Sequence, residues 1–174
     1  MSTPTLLQPF QPPAFLRTLG GLCLVSFWLL HLLGTDILLS LLLPVSLIAP
    51  TPAYHVSSKL AFWVWSGIQQ IFTKWNGARI TTSGTTLPQN ESALVIANHA
   101  SWTDFYLIQE LALRAHMLPY CRWFAKQQLK WVPFLGWGLW ELGMPLVSRQ
   151  WDKDQREIER VLKGPKTYRW PTCE

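Results

Sequence analysis

Charge is scarce in this chain. Only 14% of its 174 residues are charged, and ten of them are acidic. A domain with so few charges has little material for fully solvated faces, and the mean hydropathy of +0.12 agrees. Cysteine is equally sparse. Cys23, Cys121 and Cys173 form no metal-type spacing, and their odd number argues against a disulfide framework. No metal site is expected. The net charge of +5 comes from basic residues scattered along the chain, without a nucleic-acid-binding module, so no nucleic-acid partner is expected. Internal repeats are missing too. The size suits one ordinary domain plus an appendage.

What the chain has in excess is apolar length and tryptophan. From Leu19 to Ile48 the only charged residue is Asp36. That run exceeds the ~20 residues that cross a bilayer core as a helix, and also the roughly 7–15 of a signal-peptide core. Gly34-Thr35-Asp36 interrupts it and Pro44 comes after. The expected membrane segment, 14–50, is therefore two helices, about 14–33 and 37–48, as a re-entrant hairpin or as one span with a short second segment. A single tilted helix is the second choice. Positive charge lies almost exclusively after the run, which puts the C-terminal part on the cytoplasmic side if the run spans once. Of the eleven tryptophans, Trp63, Trp65 and Trp75 lie in a mixed segment, 53–76, read as an amphipathic interfacial helix or a core helix. Residues 1–13, with four prolines, read as a flexible lead-in. Asn90-Glu91-Ser92 reads as loop despite matching a glycosylation sequon.

Beyond residue 77 the texture alternates. Strands are expected at Ala78–Ser83, Ala93–Ala97, Tyr120–Ala125 and Met144–Ser148, with a polar linker from Thr85 to Ser92. Ala93–Ala97 is continuously apolar, as in a strand buried on both faces. Helices are expected at Trp102–Met117, after Pro133 within the glycine-rich stretch to Leu142, and at Asp152–Lys163. In the last, Asp152 and Asp154 complement the positive N-terminal end, and Asp152–Arg156 and Glu159–Lys163 are spaced as ion pairs. The class is α/β: an N-terminal membrane helix or helical hairpin, then an α/β domain over 77–174.

Two stretches read His-x4-Asp. His31 and Asp36 lie inside the apolar run with no neighbouring constellation, and their spacing is taken as accidental. His99 and Asp104 come after an expected strand and open an expected helix, at the sheet edge where α/β folds bind ligands. A histidine can take a hydroxyl proton near neutral pH, and a carboxylate can orient its ring. Ser101-Trp102-Thr103-Asp104 also fits a capping box, so spacing alone leaves helix capping and catalysis both open.

The surrounding residues add a resemblance. Asn98 to Asp104 (Asn-His-Ala-Ser-Trp-Thr-Asp) resembles the first block of the glycerolipid acyltransferase family, which includes the lysophosphatidic acid and lysocardiolipin-type acyltransferases. Ala125 to Gly138 resembles the stretch between its first two blocks, Gly143 to Arg149 the second block, and Trp151 to Asp154 the residues immediately after that block. The resemblance runs from about Val56 to Leu162. It implies transfer of an acyl chain from acyl-CoA, a co-substrate, to the free hydroxyl of a lysophospholipid at a membrane, with no bound cofactor. His99 would be the base and Asp104 its orienting partner. Arg149 would hold the acceptor phosphate, with Lys126 assisting. Asn98 and Ser101 would line the substrate, and Gly143 would admit close backbone approach. The family setting implies the endoplasmic reticulum membrane with the catalytic part facing the cytoplasm. The acceptor could equally be lysocardiolipin, lysophosphatidylinositol or dihydroxyacetone phosphate. The family's third block, a Phe-Pro-Glu-Gly-Thr-Arg-like turn, and its proline-centred fourth are not found. The expectation is an acyltransferase domain cut short at its C-terminus, either active or a silent membrane-bound fragment.

Overall fold

A computed structural model describes residues 13–85, 87, 89 and 93–167, without the side chains of 160 and 162–167. The lead-in up to residue 12, the Asn90 sequon, the Glu159–Lys163 pair and Cys173 lie outside what it describes.

The apolar run forms one helix, α1, over Ala14–Ile48. The break expected at Gly34-Thr35-Asp36 does not occur, and the single-helix alternative is the observed one. Side-chain hydroxyls fold back onto the helix there: Thr35 Oγ1 donates to the His31 carbonyl at 2.9 Å, and Ser40 Oγ to that of Asp36 at 2.7 Å. Thr35 and Asp36 are buried against protein. Pro44 removes one backbone donor without ending the helix, a fault that tertiary packing can absorb. It is the one described helix long and apolar enough to cross a membrane, by length and composition.

At Ala49 the backbone leaves helical geometry, and Pro50 starts α2, Pro50–Gln70. Proline suits that first position because its missing N–H would find no partner there. Ala53, Ser57 and Ala61, four apart, are buried along one stripe of α2. Their small side chains let α2 pack closely on α1, where Leu39 joins Ala61, Val64 and Trp65 in the core. The two helices form a hairpin, hinged at residue 49 rather than at 34–36. Trp65 is buried while Trp63 and Trp75 face outward, so the expected interfacial segment has both a core and an exposed face. A π-helical turn, Ile71–Trp75, runs into Gly77 with φ +68 and ends the element where Asn76-Gly77 predicts.

Helix α3, Asp104–Arg114, lays Phe105 and Ala112 against the core. It stops three residues short of the expected Met117. His116 takes φ 58, and its N–H and that of Met117 bond back to the Leu113 and Ala112 carbonyls. This is a Schellman close, with histidine where glycine is usual. Arg122 links the next turn to α2. It donates to the Pro119 and Cys121 carbonyls and to Ser58 Oγ, and its guanidinium lies 5.4 Å from the Tyr54 ring centroid.

Only the pair β1, Ala125–Lys126, and β2, Leu146–Val147, forms a ladder among the described residues. It is parallel, with Lys126 opposite Val147. The crossover between them carries α4, Leu135–Glu141, the short helix expected after Pro133. The α/β alternation is thus reduced to one parallel pair in a mostly helical structure. Ala78–Ser83, expected as a strand, pairs with no other strand and is held by a side chain: Arg114 donates to Thr82 Oγ1 and the Ile80 carbonyl, and pairs with Glu110 at 2.9 Å. Ala93–Ala97, expected as a doubly buried strand, is unpaired, with Ile96 87% exposed. Apolar composition favours burial, but a strand also needs a hydrogen-bonded partner, and no described segment pairs with this one. Helix α5, Trp151–Thr167, closes the described chain. Its expected Asp152–Arg156 ion pair is not formed, and Asp154 folds back onto the turn before the helix rather than only complementing its end.

Candidate functional site

The turn before α3 is built around one carboxylate. Asp104 is the first residue of the helix, and its side chain folds back over the preceding loop. Oδ2 accepts from the backbone N–H of Ala100 and of Ser101, each at 2.8 Å, and lies 3.2 Å from His99 Nδ1. Half of the capping box is therefore present, the acid reaching back to the Ser101 N–H. The other half is not. Ser101 Oγ meets the Thr103 N–H at 3.4 Å instead of the Asp104 N–H, which bonds the Ser101 carbonyl. Capping and histidine orientation turn out to be one arrangement.

The Ser101 N–H, foremost among these donors, holds the Asp104 carboxyl below the usual carboxylate range, with His99 and Ala100 adding to it. A depressed folded-state pKa contributes stability above the unfolded value, and that contribution is lost as pH falls through the folded one. The clasp is thus intact at neutral pH. An ionised Asp104 on Nδ1 favours the tautomer with its proton on Nδ1 and leaves Nε2 with a free lone pair. The His99 side chain is 78% exposed and Asp104 19%, so that lone pair faces outward, available to a hydroxyl.

A second turn repeats the device. Asp154, 6% exposed, accepts from the Ser148 N–H and Oγ, each at 2.8 Å, and from the Gln150 N–H at 3.1 Å. The Ser148 backbone donor is the main cause of its lowered pKa. Arg149, between them, is held at φ 67 and exposed. Sequence reasoning placed Asp154 on the helix dipole and missed this role. The available signal was an aspartate in the first turn of a helix right after a strand, the same context as Asp104. Lys126 ends β1 and Arg149 lies two residues past Val147 on β2, so the parallel register brings both to the C-terminal edge of the pair.

Gly143 has φ +66, and a Cβ there would meet nothing within 4 Å. Its N–H and that of Met144 close α4 onto the Trp140 and Leu139 carbonyls. It is the helix-ending glycine of α4, a position that its positive φ suits. Asn98 is exposed in the unpaired run and Ser101 is tied into the turn. Among the described residues, no hydrogen bond or ion pair joins His99–Asp104 to Lys126, Gly143 or Arg149. His31 and Asp36 make no hydrogen bond with each other; five residues along one helix turns them about 140° apart.

A family model described as Acyltransferase matches residues 79–166. Among curated proteins, the one named probable 1-acyl-sn-glycerol-3-phosphate acyltransferase 5 of Arabidopsis thaliana is 26% identical over 121 residues, 68% of this chain and 31% of that protein. The 1-acyl-sn-glycerol-3-phosphate acyltransferase delta of Mus musculus is 27% identical over 117 residues, 65% of this chain and 31% of its own length. An uncharacterized acyltransferase of Schizosaccharomyces pombe is 34% identical over 73 residues, 42% of this chain and 21% of its own. The chain thus matches about a third of the first two. No solved structure matches.

Proposed function

The chain belongs to the Acyltransferase family, and we propose that it carries the acyl-transfer site of a lysophosphatidic acid-type acyltransferase held at a membrane by α1. The observation that carries the proposal is the Asp104 clasp, which orients His99 at 3.2 Å with Nε2 facing outward. In this reading Nε2 takes the proton from the acceptor hydroxyl as its oxygen attacks the thioester carbonyl of acyl-CoA. The carbonyl carbon–sulfur bond then breaks, and the leaving thiolate recovers the proton from the imidazolium. Asp104 stabilises the transient positive ring. Arg149 supplies a planar guanidinium for the acceptor phosphate, and Lys126 a second positive charge on the same edge. The low identity supports this acceptor class without separating it from lysocardiolipin, lysophosphatidylinositol or dihydroxyacetone phosphate. The endoplasmic reticulum and a cytoplasmic-facing site come from the same family reading and the basic residues after α1.

A second reading is a membrane-bound chain that does not turn over. It is favoured by the open setting of His99, since the described cavities are lined by residues such as Phe62, Gln69 and Leu113, away from it. The deciding experiment is transfer of labelled acyl groups from acyl-CoA to lysophosphatidic acid by the full chain in lipid. Turnover should fall at least about 10²-fold in His99→Ala and severely in Asp104→Asn, while Asp36→Asn stays near the parent. Equal losses in Asp36→Asn and Asp104→Asn would move the chemistry away from the His99 turn. No turnover from folded protein would establish the second reading.

A further inference from the structure

Helix α4 has two unlike faces. Gly138 faces α1 so closely that a Cβ there would lie 2.9 Å from Asp36 Oδ1 and 3.4 Å from Leu39 Cδ1. Ser40 Oγ of α1 lies 3.3 Å from the Phe134 carbonyl at the start of α4. A small residue at the contact and a polar group bridging backbones is how helices associate inside lipid, where apolar surface alone gives no preference between neighbours. Trp137 and Trp140, three residues apart, point away from that contact and are exposed. Phe134 meets Trp137 edge to face at 5.5 Å, and Phe134 itself is held at φ 62. Just before them Trp131 is 79% exposed, with the Lys130 ammonium 5.0 Å from its ring centroid.

The position of this contact along α1 decides what environment the aromatics meet. Exposed apolar side chains lie on both sides of it: Leu30 and Leu33 toward the N-terminus, Leu41, Val45, Leu47 and Ile48 toward the hinge. Helix α4 therefore docks within the apolar length of α1, not beyond its end. Whatever depth α1 takes, the aromatic edge of α4 shares it. Tryptophan with a neighbouring lysine is the composition of a membrane–water interface, the ring in the boundary layer and the ammonium reaching outward.

We infer that α4 and the turn before it form a second membrane contact, with Trp131, Phe134, Trp137 and Trp140 seated in the headgroup layer of the bilayer that holds α1. The inference rests on reading α1 as lipid-embedded. It has a functional corollary: α4 connects β1 to β2, so this contact would set the height of Lys126 and Arg149 above the lipid.

Depth measured by spin labels tests it on the full chain. Cysteine is removed by Cys23→Ser, Cys121→Ala and Cys173→Ser. A label is then placed singly through Trp137→Cys, Trp140→Cys, Leu30→Cys or Gln128→Cys, in nanodiscs containing anionic lipid. Oxygen collisions should exceed those of a water-soluble nickel reagent at 137 and 140, as at 30, with the reverse at the exposed Gln128. An embedded label at 30 with 137 and 140 as wet as 128 overturns the inference and leaves the membrane reading of α1 standing; burial of 137 and 140 against protein, seen as immobile spectra with neither collider reaching them, overturns it as well. A wet label at 30 overturns the membrane reading and the inference with it.

Discussion

Arg149 combines a charged side chain with a backbone conformation that suits glycine. Its φ of 67 costs a residue with a Cβ about 1–2 kcal/mol, and Asp154 holds the turn on both sides of it. Arg149→Gly should therefore leave the thermal midpoint in detergent unchanged or raise it by a few degrees, because strain relief offsets the extra freedom glycine gains when unfolded. The same variant should raise the KM for a phosphate-bearing acceptor with a smaller effect on kcat, since it removes the guanidinium and leaves His99 untouched. A substantial drop in the midpoint would mean that the side chain supports the fold and would undercut its assignment to the acceptor. The arginine was visible through the resemblance of Gly143 to Arg149 to the family's second block. Sequence could not show the strain, because positive φ at a non-glycine is imposed by tertiary partners such as Asp154.

At the scale of elements, the two buried glycines of α4 make unequal demands. A Cβ at Gly136 would overlap the backbone carbonyl of Lys130, whereas at Gly138 it would first meet the Asp36 carboxylate, a side chain that can turn. Overpacking of this kind costs about 1–3 kcal/mol. Gly136→Ala should lie at the upper end and Gly138→Ala at the lower, which a thermal melt resolves as several degrees against two or three. The reverse order would mean that the α1–α4 contact is more rigid than the turn at Lys130. Elements of this sort were legible where their signals are local. Asn76-Gly77 at the end of the helical segment, the helix after Pro133 and its close packing through glycine are all read from nearby residues, whereas α2 starts at Pro50, three residues before the expected 53. The continuity of α1 through Gly34-Thr35-Asp36 was not legible. It depends on hydroxyls returning to the helix backbone and on α4 covering Asp36.

For the molecule as a whole, order is uneven. The α1–α2 hairpin, α3 and α4 share one core, while residues 93–98 have no backbone partner among the described residues. Hydrogen exchange in lipid should show amides 94–98 exchanging near the rate of an unstructured peptide, with the buried stripe of α2 slower by orders of magnitude. Protection at 94–98 matching α3 would reveal pairing that this fold does not contain. The His99–Asp104 site was readable because both residues and their backbone donors lie within seven positions, Asn98 to Asp104. The meeting of Lys126 and Arg149 at one strand edge was not, since it requires long-range strand pairing that composition does not specify.

Two arginines divide the molecule's response to salt. Arg114 grips the 78–82 segment at Thr82 Oγ1 and the Ile80 carbonyl, while an exposed ion pair with Glu110 on its own helix holds the guanidinium in place, within reach of mobile ions. Arg122 ties the 118–121 turn, through the Pro119 and Cys121 carbonyls, to the Ser58 hydroxyl and Tyr54 ring of α2, with no carboxylate partner among the described residues for dissolved ions to screen. Raising ionic strength should loosen the strap over α3 while the hold on the hairpin persists, so the domain would soften from the Arg114 side first.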